Sequence, residues 1–328
     1  MTLRCRILIA AMTVTVIALP FERALARSAL PPVFNLQASP ATQAASYIDL
    51  KGHAHAAAAK RVAIVSFTVE FVDSLEASGA PSGNSSKKNR KKSEEDSGPP
   101  PAGVAASVAI SLDPAQLQAI VDALYDLTVE DWRAAGADVL APDSMADLPG
   151  LADIRSRLVS TPYRRSNTDP SGKRTSLVVS AHAWPAYADA GADSSAGAEL
   201  AASKRTDTVL VTAHFVVDFL LLRDTDDRLF RTKLTPAYVQ TVRPVATQYR
   251  VVSPDGSIAK VILRNSVRAP ESPVNRGRLG DYEDQEEPDA DGGADVERLA
   301  VNAAVYYDQS LRYLSATQDM MAAALGLD

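Results

Sequence analysis

Residues 61–72 read RVAIVSFTVEFV, and this run predicts a strand in the interior of a sheet. Because strand side chains point alternately to two faces, the apolar residues of one face are Val65, Phe67, Val69 and Phe71. Val62 and Ile64 make the first half apolar on both faces, which is typical of a strand that is covered on both sides. We therefore place this strand inside the fold.

The clearest helix in the sequence covers residues 114–135. Asp113 is a favourable N-cap, Pro114 suits the first helical position, and Gln116 completes a capping box. Apolar residues recur at steps of three and four, namely Leu117, Ile120, Val121, Leu124 and Leu127. Gly136 is the residue type expected just after the last turn. We expect this long helix to pack its apolar face on the sheet.

Shorter patterns complete the predicted fold. Further strands are predicted at residues 104–112, 138–141, 176–183, 208–222, 248–252 and 259–264, and further helices at residues 151–159 and 294–325. We expect residues 104–112 to pair with residues 61–72 in a long hairpin. The sequence SPDGS at 253–257 predicts the turn of a second hairpin. The prediction is an α/β (α+β) fold in which a mixed, largely antiparallel sheet is packed by a long central helix and a C-terminal helix.

Two charged stretches without apolar periodicity, residues 78–103 and 270–294, are predicted to be flexible insertions. They interrupt a single predicted domain over residues 61–328, which follows an extended N-terminal segment over residues 27–60. The first stretch is basic through Lys87, Lys88, Arg90, Lys91 and Lys92. The second stretch contains most of an acidic run, which consists of Asp281, Glu283, Asp284, Glu286, Glu287, Asp289, Asp291, Asp295 and Glu297. The basic cluster either lies in solvent or contacts anionic envelope polymers or lipid headgroups. The net charge of −6 argues against a general nucleic-acid-binding role.

The first 26 residues have the layout of a secretory signal peptide. Arg4 and Arg6 supply positive charge, and residues 7–21 form an uncharged, mostly apolar run. Ala24 and Ala26 supply the small residues of a cleavage site. The apolar run is about 15 residues long, short of the roughly 20 that a membrane-spanning helix needs. An uncleaved N-terminal anchor is the alternative. We expect export to a bacterial periplasm or out of the cell, and no membrane span after removal of the signal.

The only cysteine, Cys5, lies within this signal. A mature chain that begins near residue 27 therefore has no thiol for disulfides, thiolate catalysis or zinc binding. Its stability must come from burial of apolar surface. The sequence contains no Gly-x-Ser-x-Gly motif, and residues 170–173 (PSGK) lack the glycine spacing of a phosphate-binding loop. We expect no cofactor.

Four histidines are the candidates for binding chemistry. His53 and His55 form a His-x-His pair that binds zinc or copper if a third ligand joins them. His182 and His214 fall on predicted strands, and together with Trp184 they are the candidate residues of a ligand pocket. The alternative is that each strand histidine is a packed residue satisfied by backbone or hydroxyl groups. A concave pocket that holds both histidines and a carboxylate would favour an enzyme or a ligand-binding module.

The order of elements resembles the TolB amino-terminal domain and the curli-secretion lipoprotein family. The resemblance rests on the strand RVAIVSF at residues 61–67, the end of the helix and following strand at 132–140, the strand at 208–219, and the hairpin YRVVSPDGSIAK at 249–260. It implies a periplasmic envelope protein that binds partners or assembles, without catalytic residues to transfer. The chain departs from the curli family because it has neither a lipobox cysteine nor recognisable membrane-inserting hairpins.

Two classes of function follow from the sequence. The first is a non-enzymatic envelope protein that acts through contacts with other envelope proteins or with further copies of itself. The second is a periplasmic module that binds a small molecule or a metal, or a hydrolase with an Asp/His arrangement. The position of the histidines in the fold distinguishes the two.

Overall fold

The computed structural model describes residues 31–53, 56–77, 106–141, 145, 150–169, 172–188, 196–222, 237–270, 280–282, 296–301 and 303–327. Pro31–Asp328 forms one compact unit. The predicted signal peptide and the predicted basic cluster lie outside the described residues. None of the helices in the described ranges is both long enough and apolar enough to cross a membrane.

The described part of the chain alternates helices with many short strands. The helices are α1 (Pro40–Tyr47), α2 (Pro114–Ala134), α3 (Leu151–Arg155), α4 (Ala196–Thr206) and α5 (Ala303–Leu325). The strands are β1 (Ile48–Gly52), β2 (Arg61–Ala77), β3 (Ala106–Ala109), β4 (Asp138–Val139), β5 (Leu158–Val159), β6 (Tyr163–Asp169), β7 (Gly172–Ser180), β8 (Ala186–Tyr187), β9 (Val209–Leu222), β10 (Ala237–Val242), β11 (Gln248–Val252), β12 (Ile258–Leu263), β13 (Val267–Arg268), β14 (Gly280–Tyr282) and β15 (Val296–Val301). Short 3₁₀ turns occur at Ala56–Ala58 and Ala181–Ala183.

Strands β2 and β9 lie side by side and run parallel, with Val62 opposite Val209 and Phe71 opposite Val217. The strand order along the main path is β1-β12-β11-β9-β2-β3-β15-β14. Strand β7 pairs with both β2 and β6, and strand β10 pairs with both β9 and β13. Apart from β2–β9, β2–β4 and β3–β15, the pairs in the described sheet are antiparallel. The predicted mixed, largely antiparallel sheet is confirmed, and so is the hairpin of β2 and β3.

Helices α2 and α5 pack on one face of the sheet and form the larger core with it. Asp113 caps α2 as the sequence predicts, because its Oδ1 accepts a hydrogen bond from the backbone N of Ala115 at 3.0 Å. The α2 residues that are fully buried in this core are Leu117, Val121, Leu124, Thr128 and Trp132. The hydroxyl of Tyr307 on α5 accepts a hydrogen bond from the N of Asp113 at 2.7 Å and joins the two helices. The predicted central and C-terminal helices are therefore both present.

The short helices α3 and α4 form a smaller apolar cluster with Ala63, Leu210 and Val252. A buried ion pair fixes α4 to β11. Arg250 donates from Nε to Oε2 of Glu199 at 2.8 Å and from Nη2 to Oε1 at 2.7 Å. Two apolar clusters therefore join the sheet to helices: α2 and α5 contribute to the larger one, and α3 and α4 contribute to the smaller one.

The N-terminal part of the domain differs from the prediction of an extended segment over residues 27–60. Helix α1 occupies part of it, and β1 pairs with β12, with Ile48 opposite Leu263. The ring of Phe34 packs edge-on against Tyr47 and lies 6.4 Å from Tyr313 of α5. These elements are too short to show a periodic pattern, and long-range contacts hold them in the fold.

Two predicted boundaries were wrong in the C-terminal half. The predicted helix over residues 294–325 begins at Ala303, because Val296–Val301 pairs in parallel with β3 instead. The predicted strand over residues 176–183 ends at Ser180, and the following residues form a 3₁₀ turn. The stretch predicted as a flexible insertion at 270–294 contains β14, which pairs with β15. Strand partners that are distant in the sequence decide these boundaries.

Candidate functional site

A cavity of about 370 Å³ lies against the first part of β2. One wall is Ile64–Phe67 of β2, another is formed by α3 and β5, and a third is the end of β7 with the turn after it. Most of its described lining is apolar, and the described lining residues are Ile64, Val65, Ser66, Phe67, Met145, Leu151, Ile154, Arg155, Leu158, Ser180, Ala181, Trp184 and Pro185. This lining suits an apolar molecule.

A shift in the register of β2 shapes the first wall. Ile64 pairs with Val211 and Ser66 pairs with Thr212, so Val65 is an extra residue on β2. Such a bulge bends a strand and changes the direction of its side chains. Ile64 joins Phe67 in the larger core, while Val65 packs on the smaller cluster. The predicted alternation over residues 61–72 was therefore wrong at Val65. Four consecutive β2 residues reach the cavity as a result.

The turn at Ala181–Ala183 shapes the third wall and has an uncommon backbone conformation. His182 has φ of 50° and Ala183 has φ of 55°, in the left-handed region that residues other than glycine seldom adopt. Asp122 holds the turn, because its Oδ1 accepts hydrogen bonds from the N of His182 at 2.6 Å and from Nε2 of Gln118 at 2.7 Å. Helix α2 thus fixes the position from which Trp184 reaches the cavity.

Trp184 is the one predicted pocket residue that lines the cavity. Its ring packs on His182, with centroids 4.6 Å apart, and edge-on against Tyr125 at 5.3 Å. Tyr125 in turn packs edge-on against Phe67, so the aromatic group is continuous with the core. His182 has a side chain that is 39% exposed and lies beside Asp122, outside the cavity lining.

Among the described residues that line the cavity, three are polar: Ser66, Ser180 and Arg155. The hydroxyl of Ser180 donates to the carbonyl oxygen of Trp184. The hydroxyl oxygen of Ser66 accepts a hydrogen bond from the N of Tyr187 at 3.2 Å. Arg155 is exposed, and no residue in the described ranges forms an ion pair with it. Both Ser66 and Arg155 are missing from the residues that the sequence singles out, because neither belongs to a recognisable motif.

His214 lies elsewhere, in a buried polar network along β2. Its Nδ1 is 2.8 Å from Oγ1 of Thr68, and its Nε2 is 3.6 Å from Oε2 of Glu70. Ser176 donates a hydrogen bond to Oε1 of Glu70 at 2.6 Å. Thr68 pairs with His214 on one side and with Ser180 on the other. His182 lies in the turn after Ser180, so the two histidines do not share one site, and His214 is a buried residue with a hydroxyl partner.

Glu70 is ionised within this network. Burial alone raises the pKa of a carboxyl group, but hydrogen bonding to His214 and Ser176 and the charges of His214 and Arg165 outweigh it and lower the pKa of Glu70. Ser176 therefore donates to a carboxylate, while the ring nitrogens of His214 face Thr68 and Glu70. A serine nucleophile needs the imidazole as its base, so this geometry differs from a catalytic triad.

The predicted metal pair falls only in part on described residues. His53 is exposed and follows β1, while His55 lies outside the described residues. In the ranges that the structure describes, no group of three His, Cys, Asp or Glu side chains could hold a metal ion. The metal hypothesis for His53 and His55 stays a prediction.

Comparison of the chain with protein-family models, with curated proteins and with solved structures gives no match. The resemblance to the TolB amino-terminal domain and the curli-secretion family therefore stays a prediction from the sequence. The geometry of the cavity is the basis for any functional proposal.

Proposed function

We propose that this protein is an exported binding module that holds a small, largely apolar molecule in the cavity between β2, α3 and the turn after β7. The single observation that carries the proposal is the cavity itself, about 370 Å³ in volume and mostly apolar in its lining. Ligand sites commonly have volumes of about 300–1,000 Å³ and combine apolar walls with a few polar groups. The volume is near the lower end of that range and favours a small molecule.

The kinds of side chain in the lining support binding in preference to catalysis. None of the described residues that line the cavity is a carboxylate or an imidazole, and these are the groups that most often transfer protons in enzymes. Burial of a ligand's apolar surface supplies about 25 cal/mol per Å². Burial of apolar surface alone can therefore supply the free energy that binds an apolar ligand in this cavity.

Export is the part of the proposal that rests on the sequence. The layout of residues 1–26 favours a signal peptide, and the mature chain has no cysteine whose oxidation could disturb it outside the cytoplasm. Amino-terminal sequencing of the natural protein tests this part. A protein that begins near residue 27 supports export, and a retained Met1 contradicts it.

Calorimetric titration of the purified protein with 1-octanol tests the binding function. We expect one binding site in the native protein and its loss in Leu158→Trp, because Leu158 lines the cavity and the larger side chain fills it. Leu311→Trp is the matched control, since Leu311 is 36% exposed on α5 and lies outside the lining. Equal binding by both variants would place the alcohol elsewhere and contradict the proposal. Melting temperatures verify that both variants fold.

A further inference from the structure

Ser66 has hydrogen-bonding capacity inside the cavity that the described residues do not use. The residue is 3% exposed, and its Oγ accepts the hydrogen bond from the N of Tyr187. A serine hydroxyl also donates one hydrogen bond, and no residue in the described ranges accepts this proton. A buried donor without an acceptor costs free energy. A ligand oxygen in the cavity would accept the hydrogen bond.

Arg155 adds a positive charge to the same cavity. It is the last residue of α3, lines the cavity and is exposed, so it lies where the cavity meets solvent. Its neighbours in the lining, Ile154 and Leu158, are apolar. An anion beside such walls is less screened than an anion in water, and a guanidinium group binds carboxylates with directed hydrogen bonds.

The number of these polar groups limits the charge of the ligand. Arg155 is the one charged residue of the described lining, and its single positive charge balances one negative charge, whereas a phosphate monoester carries about −1.5 to −2 at neutral pH. The other described lining residues are apolar apart from Ser180, whose hydroxyl donates to the carbonyl of Trp184. The ligand therefore combines one monoanionic oxygen group with an apolar body.

Resting on the proposed binding function, we propose that the cavity takes a monocarboxylate with a short apolar chain, its carboxylate held by Arg155 and Ser66. The chain of the ligand lies among the apolar residues of α3, β5 and the bulged part of β2. Trp184 packs on it from the third wall. The ligand class is thus a medium-chain carboxylic acid in its ionised form.

Calorimetric titration of the purified protein at pH 7 with octanoate, 1-octanol and octyl phosphate tests this inference. We expect octanoate to bind at least about tenfold more tightly than 1-octanol, as a charge-assisted hydrogen bond predicts. Arg155→Gln should remove this difference, because it should weaken the binding of octanoate and leave the binding of 1-octanol unchanged. Ser66→Ala should weaken the binding of both octanoate and 1-octanol. Arg133→Gln is the matched control, because Arg133 is an exposed arginine on α2 outside the lining.

The outcomes separate the inference from the proposed function. Equal affinity for octanoate and 1-octanol, or unchanged octanoate binding by Arg155→Gln, overturns the carboxylate assignment and leaves apolar binding intact. Tighter binding of octyl phosphate than of octanoate overturns it as well. If none of the three probes binds, the proposed function and this inference both fail.

Discussion

Two carboxylates three residues apart on β2 have pKa values that their surroundings shift in opposite directions. Burial raises the pKa of both, but the interactions of Glu70 with His214 and Ser176 outweigh burial and lower its pKa. Burial prevails at Asp73, and the nearby Arg164 only partly offsets the rise in its pKa. Within the described residues, Oδ1 of Asp73 is buried without a hydrogen-bond partner. Ionised Glu70 stabilises the fold, and ionised Asp73 costs stability.

Glu70→Gln should therefore lower the free energy of unfolding at pH 7, by about 1–3 kcal/mol, since buried hydrogen bonds to a charged group are lost. The stability that ionised Glu70 supplies is present above its ordinary pKa of 4.5 and is lost as the pH falls through the lowered folded value. The difference between variant and native protein should shrink below about pH 4.5. Urea unfolding from pH 3 to pH 7 measures it, and a difference that stays constant over this range contradicts the prediction.

Asp73→Asn is the contrasting variant for the same measurement. Because the folded pKa of Asp73 is raised, its ionisation removes stability as the pH rises from its ordinary value of 3.8 through the folded value. The variant should gain stability relative to the native protein over that interval. The exposed Glu130→Gln on α2 serves as the control, and we expect it to stay within about 0.5 kcal/mol.

At the scale of residues, the sequence could name candidate side chains for a pocket but could not show which of them lie together. The candidate residue Trp184 lines the cavity, while His182 lies in the turn before Trp184 and His214 lies in a buried network. The prediction that His182 lies on a strand was wrong, because the strand ends at Ser180. Asp122, which holds the turn, is 60 residues distant in the chain, and no local pattern indicates such a contact.

At the scale of elements, a buried ion pair joins α4 to β11. Glu199 on α4 accepts hydrogen bonds from Nε and Nη2 of Arg250, and Thr212 donates to the same carboxylate at 3.1 Å. Glu199 and Arg250 are 1% and 4% exposed. Removal of one partner from a buried pair leaves an uncompensated charge, whereas replacement of both partners by apolar residues is often nearly neutral.

Arg250→Met should therefore lower the free energy of unfolding by about 3–5 kcal/mol, and the double variant Arg250→Met/Glu199→Met should recover much of that loss. Urea unfolding measures both. Arg312→Met is the control, because Arg312 pairs with Asp308 on α5 with both side chains more than half exposed, and such pairs contribute only about 0–1 kcal/mol. A double variant that is no more stable than Arg250→Met contradicts the prediction.

Sequence periodicity located the long elements and missed short ones. The capped, amphipathic α2 and the hairpin of β11 and β12 follow from local signals, and both are confirmed. Strand β6 reads YRRSNTD, shows no apolar alternation and pairs only with β7 among the described strands, so burial imposes little pattern on it. Strand β15 was predicted as helix because its parallel partner, β3, is remote in the chain.

For the whole molecule, assembly with other envelope proteins or further copies of the chain stays a prediction from the resemblance. Strand β1 is at one end of the main path of the described sheet, and Leu50 on it is 46% exposed. An edge strand can pair with another chain through its free backbone groups. These features are compatible with association.

Size-exclusion chromatography with light scattering on the purified protein tests assembly. We expect a mass above that of one chain, and we expect Leu50→Lys to shift it toward the monomer because a charge on an edge strand opposes pairing. Val245→Lys is the control, as Val245 is 72% exposed and lies outside the strands. A strict monomer that retains nothing from an envelope extract would count against assembly.

The amino-acid sequence alone determined the α/β class, the buried strand β2, the capped helix α2 and the hairpin at 253–257, since periodicity, capping and turn residues act within a few positions of the chain. Only the tertiary structure decided where a ligand can bind. The cavity needs the extra residue at Val65, the helix α3 and the turn before Trp184. These parts are distant in sequence and meet only when the sheet places β7 beside β2. Contacts between distant residues leave no local pattern, and for this reason only the folded chain shows that Ser66 and Arg155 line the same cavity.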